Sequence, residues 1–205
     1  MEAEVWPSSY TRVPRPDPCL MELVSRLARE PWTDRPACVH PVLSAVARAV
    51  HDHSSPAGRR ELLPLAPHFL DSARTGFEPS ARLVALCVST ALASGELTSD
   101  ERVRLARAHR TALYLLGSTD EPAGVSRWWL PVLGRLRRSE PFYRTFVATE
   151  DAAEAVAITA RAADGDRDLR LRQLLKQCLS AHGARRPGAS DPSCSTSPAP
   201  HSSTP

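Results

Sequence analysis

Residues 79–101, PSARLVALCVSTALASGELTSDE, decide the fold class. Proline is favoured in the first turn of a helix, and the residues that follow Pro79 are apolar on most faces of a helical wheel. Gly95 is expected to stop this helix, because glycine adopts the left-handed conformation that ends helices. Thr98 and Glu101 have the spacing of a capping box that begins the next one. The stretch therefore predicts two successive helices, the first of them at the centre of an all-α bundle.

Apolar residues recur at helical spacing on both sides of this stretch, as in the stripe that begins at Leu20. Residues that favour helix starts precede these stripes: Asp17 with Pro18, Pro41, Pro56, Ser126 or Arg127, Thr149, and Asp164 or Asp166. Gly117 and Gly183 are expected to end two of the helices. No segment alternates convincingly with a period of two. The pattern predicts a compact, irregular bundle of about seven or eight helices.

Composition divides the chain into three parts. Residues 1–16 are rich in proline and are expected to form an extended arm, and residues 17–183 form the helical domain. Residues 184–205 contain no aromatic or large aliphatic side chain, so burial cannot offset the entropy of ordering them, and we expect a disordered tail. No stretch is apolar enough for a membrane helix or a signal peptide. We therefore expect a cytoplasmic protein without a membrane association.

The basic residues are almost all arginine. Of the 26 basic residues only Lys176 is lysine, and the formal net charge is +3. A coding sequence rich in G and C, as in an actinomycete, accounts for this bias together with the abundant alanine and the 19 prolines. The alternative is a nucleic-acid surface on arginine-rich helices, which the 23 scattered acidic residues make the less favoured interpretation. The candidate residues are Arg102, Arg104, Arg107 and Arg110, or Arg135, Arg137 and Arg138.

The five cysteines are odd in number and far apart in the sequence: Cys19, Cys38, Cys87, Cys178 and Cys194. Three of them lie in apolar helical patterns. This distribution is typical of reduced, buried thiols and not of a disulfide framework. Cys38 stands two residues before His40, which makes it a candidate reactive thiol, although no third group is placed to orient the imidazole.

Metal-binding patterns are incomplete. His51 and His53 follow the Cys38–His40 pair, but on one helix their side chains point about 200° apart and cannot share an ion. Asp164–Asp168 resembles the start of a calcium loop but lacks the glycine and the bidentate glutamate that such a loop needs at later positions. The chain also lacks a nucleophile elbow and a glycine-rich phosphate loop. We expect no metal ion, no cofactor and no catalytic residue.

Aromatic residues concentrate in one region, at Trp128, Trp129, Phe142, Tyr143 and Phe146. Such a group either lines a partner or ligand surface or forms a corner of the core. Both interpretations remain open at this point, and the region is the best candidate for a site.

Residues 34–43, DRPACVHPVL, have the pattern D-x-P-x-C-V-x-P-V-L. This segment, with RELLPLAP at residues 60–67, resembles a family of uncharacterised actinomycete proteins. His51 and Asp52 stand where that family has an Asn-Asp pair, which is a small departure. The resemblance covers about residues 20–75 well, and it implies a relationship but no activity.

The absence of a convergent set of reactive residues favours a non-enzymatic protein-interaction or accessory protein with an unknown protein partner. One alternative is a small DNA-associated regulator that uses the arginine-rich helices. Another is an enzyme with a pocket near Trp128 and Trp129.

Overall fold

The computed structural model describes residues 19–95, 97–117, 140–162 and 166–183. These ranges are helical and contain no β-strand, which confirms the predicted all-α class. The helices are α1 (Leu20–Leu27), α2 (Pro41–His53), α3 (Pro56–Leu62), α4 (Phe77–Ala93), α5 (Ser99–Leu115), α6 (Ala148–Arg161) and α7 (Arg167–Gly183), with a 3-10 segment at Leu63–Phe69. The predicted arm and tail lie outside the described residues.

A five-residue π-helical turn, Tyr143–Val147, precedes α6 and is called the π turn below. A single helical turn, Glu140–Phe142, leads into it, and Val147 and Ala148 keep helical backbone angles. The three pieces therefore form one continuous helix that changes its winding between residues 143 and 147.

The central helix of the bundle is α4, as the sequence predicts. It packs against α5, α6 and α7, while α2 packs mainly against α6. Its buried face runs from Ser80 through Val84 and Cys87 to Ala91, at helical spacing. Fully burying an aliphatic side chain of this kind contributes about 1.5–3 kcal/mol, so this face is a major source of stability.

Local capping signals are confirmed at several helix ends. Thr98 and Glu101 form the predicted capping box at the start of α5. Asp166 caps α7 by accepting a hydrogen bond from the backbone N–H of Leu169 at 2.9 Å. Gly95 has a φ of +85°, which is the left-handed conformation expected of a helix stop.

The predicted N-cap at Asp17 is wrong, because α1 begins at Leu20 behind Cys19. The Sγ atom of Cys19 accepts a hydrogen bond from the Glu22 N–H at 3.4 Å, and the Glu22 carboxylate accepts one from the Cys19 N–H at 2.9 Å. A carboxylate at the third helical position reaches back to the residue before the helix, and here that residue is Cys19.

The predicted N-cap at Thr149 is also wrong, because the helix passes through this residue without interruption. The Thr149 hydroxyl donates to the carbonyl oxygens of Thr145 at 2.8 Å and Phe146 at 2.9 Å, as a threonine inside a helix does. Pro141 lies in the first turn of the combined helix, where a missing N–H is tolerated.

Across the described ranges, no helix combines the length and the apolar character that crossing a bilayer requires.

Candidate functional site

Two of the five aromatic residues singled out in the sequence form an exposed pair. Phe142 is 52% exposed and Phe146 is 59% exposed, and their ring centroids are 5.2 Å apart. The two residues are four apart along one helix, so their side chains lie on the same face. Trp128 and Trp129 lie outside the described residues.

Tyr143 does not belong to this exposed pair, because it points into the core. Its side chain is 1% exposed, and its ring lies 5.7 Å from the ring of Phe77. Burial raises the pKa of the Tyr143 hydroxyl well above its ordinary value, with a smaller contribution from the negative charge of Asp151. The buried ring therefore anchors the π turn, while its two phenylalanine neighbours remain outside.

Arg144 ties the π turn to the start of α4. Its guanidinium lies 3.2 Å from the Glu140 carboxylate and donates to the backbone carbonyl of Arg74, also at 3.2 Å. Glu140 in turn accepts a hydrogen bond from the Gly76 N–H at 3.1 Å, immediately before α4. Both charged side chains are mostly buried, so solvent screens this pair less than an ordinary surface ion pair.

A pair of buried histidines lies where α2, α4 and α7 meet, and no local sequence pattern predicts it. The ring centroids of His40 and His182 are 5.1 Å apart. The Nε2 atom of His182 lies 2.8 Å from the Ser72 carbonyl oxygen, and that of His40 lies 3.4 Å from the Ser80 hydroxyl. The Ser72 hydroxyl accepts a hydrogen bond from the His40 N–H at 3.3 Å. These four residues are called the histidine junction below.

The surroundings of both histidines of the junction favour the neutral ring. Burial is the largest cause that lowers the pKa of His40 to about 3, and the neighbouring His182, Arg144 and Arg74 contribute to the same shift. Burial is also the main reason why the pKa of His182 is lowered. Because Ser72 offers a carbonyl, the Nε2 atom of neutral His182 carries the proton and its Nδ1 atom is an acceptor.

The junction keeps hydrogen-bonding capacity that the protein does not use. Among the described residues, the buried atoms without a hydrogen-bond partner include His40 Nδ1, His182 Nδ1 and Arg144 Nε. Such an atom typically costs about 1–3 kcal/mol of stability. The sequence draws attention to His40 as a possible metal ligand and as a possible partner of Cys38, but its partners in the structure come from segments far away in the chain.

Cys38, the candidate reactive thiol, has surroundings that favour the neutral thiol. Burial raises the pKa of Cys38, and the carboxylate of Glu30 raises it further. Glu30 is fixed in this position because it accepts hydrogen bonds from the backbone N–H groups of Ala37 at 2.7 Å and Cys38 at 2.8 Å. The His40 ring faces His182 and Ser80, so it is not paired with the thiol.

One of the arginines considered for nucleic-acid binding is engaged with an acidic residue. Arg104 of α5 forms an ion pair with Glu154 of α6 at 2.7 Å. Arg161 and Glu101 form a second pair between the same two helices, also at 2.7 Å. Arg135, Arg137 and Arg138 lie outside the described residues.

No group of three or more metal-ligating side chains occurs in the part of the chain that the structure describes. His40 and His182 therefore form a pair without a third ligand of the usual kinds. Comparisons of the chain with protein-family models, with curated proteins and with solved structures find no match.

Proposed function

We propose that this chain is a non-enzymatic protein-interaction protein that binds a partner protein through Phe142 and Phe146. The observation that carries the proposal is the exposure of both rings on one helix face, 5.2 Å apart. Exposed aromatic side chains often supply much of the binding energy at protein interfaces, because they bury a large area and have few rotatable bonds.

The anchoring of the π turn supports the proposal. The Tyr143 ring holds one side of the turn in the core, and Arg144 and Glu140 bind it to the start of α4. The two phenylalanines thus project from a helix that is fixed before any partner arrives. A rigid binding surface loses less entropy on association than a flexible one.

The chemistry of the histidine junction favours binding over catalysis. His40 is fully buried and its pKa is about 3, so it is a weak base without access to an external substrate. Ser80 lies 3.4 Å from its ring, but burial shields that serine as well. We therefore assign the junction a structural role.

The proposal includes a cytoplasmic location in an actinomycete and a relationship to the family with the D-x-P-x-C-V-x-P-V-L segment. Both parts rest on sequence composition and on the segments at residues 34–43 and 60–67.

The test compares the full chain with a Phe142→Ser/Phe146→Ser variant after cross-linking in the source cells. We expect a stoichiometric partner with the unsubstituted chain and at least a tenfold lower yield with the variant, because losing an interface aromatic typically costs about 2 kcal/mol or more. The matched control is Val103→Ser on α5, another exposed apolar residue at 66% exposure, which should keep the partner.

The free energy of unfolding of each variant should lie within about 0.5 kcal/mol of that of the unsubstituted chain, because the substituted side chains are exposed. Equal recovery of the partner with and without the two phenylalanines would show that the surface lies elsewhere. Salt-dependent binding of the purified chain to duplex DNA would instead favour the nucleic-acid alternative.

A further inference from the structure

Two fully buried cysteines from distant parts of the chain face each other. Cys87 of α4 and Cys178 of α7 have their Sγ atoms 3.7 Å apart, and neither side chain is exposed to solvent. Both thiols are free. We propose that this pair is an oxidative modification site, at which a hydroperoxide converts the two thiols into a disulfide that joins α4 to α7.

The contacts at one end of the two helices hold the thiols opposite each other. Arg82 of α4 donates to the Ala181 carbonyl of α7 at 3.3 Å, and Arg74 donates to the His182 carbonyl at 3.0 Å. Arg82 lies opposite Ala181, and Cys87 lies opposite Cys178. The residue numbers therefore rise along α4 while they fall along α7. The two helices are therefore antiparallel here.

In this antiparallel arrangement a disulfide requires only a small movement of the two sulfur atoms. A disulfide has an S–S distance of about 2.05 Å, so the sulfur atoms must approach by roughly 1.7 Å. Rotation of the two side chains and a small shift of α7 supply such a movement. The surrounding residues, such as Val84 and Leu174, are apolar and also accommodate a disulfide, which carries no charge.

The chemistry takes place in two steps that balance. One thiol reacts with hydrogen peroxide, which oxidises the sulfur to a sulfenic acid and releases one water molecule. The second sulfur then attacks the sulfenic sulfur, the S–S bond forms, and the displaced hydroxide leaves with the thiol proton as a second water molecule. A dithiol reductant reverses the result by thiol–disulfide exchange.

Burial makes the first step slow. Hydrogen bonding to Cys178 and burial raise the pKa of Cys87 well above the ordinary thiol value, so the reactive thiolate is scarce in the closed fold. The peroxide reaches the sulfur during local opening of α7, the last helix that the structure describes. Once a sulfenic acid forms, the second thiol already lies beside it.

The bond would close a loop of 91 residues, since Cys87 and Cys178 are that far apart in the sequence. A cross-link of this length restricts the unfolded chain, and we expect the melting temperature to rise by about 5–15 °C. The two half-buried cysteines that the structure describes have other neighbours, since Cys19 bonds to Glu22 and Cys38 lies beside Glu30.

The experiment treats the full chain with excess hydrogen peroxide, blocks the remaining thiols with iodoacetamide, and maps the peptides without reduction. We expect a peptide pair linked through Cys87 and Cys178, two hydrogens lighter than the separate thiol peptides. Dithiothreitol should remove the link and reverse the rise in melting temperature.

A variant with Cys19→Ser, Cys38→Ser and Cys194→Ser keeps the buried pair and should still gain the cross-link and the thermal shift. Its matched control adds Cys178→Ala and should gain neither. The peptide map of the unsubstituted chain gives an independent result if a variant does not fold.

Three outcomes would overturn the proposal. They are a disulfide between other cysteines, a sulfinic acid at Cys87 or Cys178, or an unmodified pair under conditions that oxidise Cys19 and Cys38.

Discussion

The residues of the histidine junction make the fold sensitive to acid. In the unfolded chain a histidine has a pKa near 6.5, whereas in the fold the pKa of His40 is about 3 and that of His182 is also lowered. Below pH 6.5 the unfolded state therefore binds more protons than the folded state. This contribution to stability is complete above the unfolded pKa and is lost as the pH falls toward the folded pKa.

We expect the free energy of unfolding to fall by up to about 1.4 kcal/mol per pH unit for each buried histidine below pH 6. Urea titrations at pH 7, 6 and 5 measure this slope. His40→Gln and His182→Gln should each reduce the slope.

The carboxyl of Asp151 changes the stability with pH in the opposite direction to the two histidines, so its contribution must be removed from the measurement. The pKa of Asp151 is raised to about 6. Burial and the charges of Glu150 and Glu154 cause this rise, and the charge of Arg107 opposes it in part. Its folded state binds a proton more readily than the unfolded state, so it adds stability as the pH falls. The titrations therefore use an Asp151→Asn background, and a flat profile in that background would contradict the role assigned to the two histidines.

The histidine junction could not be predicted from the sequence. His40 attracts attention because it follows Cys38, but nothing near it in the sequence points to His182 or Ser72. The junction arises from packing between distant segments, and a single sequence carries no periodic signal for such a contact. The sequence singles out Phe142, Tyr143 and Phe146 together but leaves open whether they form a surface or a corner of the core, and it carries no signal for the packing of Tyr143 against Phe77.

At the scale of helices, local capping explains both the successes and the failures. Thr98 with Glu101 and Asp166 satisfy backbone donors within their own turn. The sequence predicts the Thr98–Glu101 box and gives Asp166 as one of two candidates for the other cap. Thr149 has the same chemistry, but the preceding turn already supplies its helix with partners, so it lies in the interior. A capping residue in the sequence therefore indicates the start of a helix only where the residues before it are not helical themselves.

The capping box of α5 gives a test at this scale. We expect Thr98→Ala to lower the free energy of unfolding by about 1 kcal/mol, because the N–H of Glu101 loses its acceptor. The adjacent Ser99→Ala is the control and should change the free energy by less than about 0.5 kcal/mol. An equal effect of both substitutions in a chemical denaturation experiment would argue against the box as a source of stability.

At the scale of the molecule, one contact joins α3 to the start of α7. The Asp168 carboxylate accepts hydrogen bonds from the backbone N–H of Ser55, at 3.0 Å, and from its hydroxyl. Gly58 makes room for this contact, because a Cβ atom there would lie 2.5 Å from the Asp168 Cγ atom. The all-α class and the central position of α4 follow from apolar periodicity, but this long-range contact does not.

We expect Gly58→Ala to destabilise the fold by about 1–2 kcal/mol, although alanine in a helix is usually more stable than glycine by up to about 1 kcal/mol. The reason is the collision with Asp168. Gly183→Ala is the control, since a Cβ atom there meets no other atom within 4 Å. Thermal unfolding measures both, and a Gly58→Ala protein that is more stable than the unsubstituted chain would refute the collision.

The π turn also determines where this part of the chain can change its length. A π-helical turn accommodates one residue more than the same turn of α-helix. Deleting one residue between 143 and 147 would therefore restore regular winding and leave the preceding positions nearly in their present orientation relative to α6. A deletion inside α6 would instead rotate every preceding position by about 100°, and Glu140 would swing away from Gly76. The π turn is thus the place in this helix where a single-residue deletion is best tolerated.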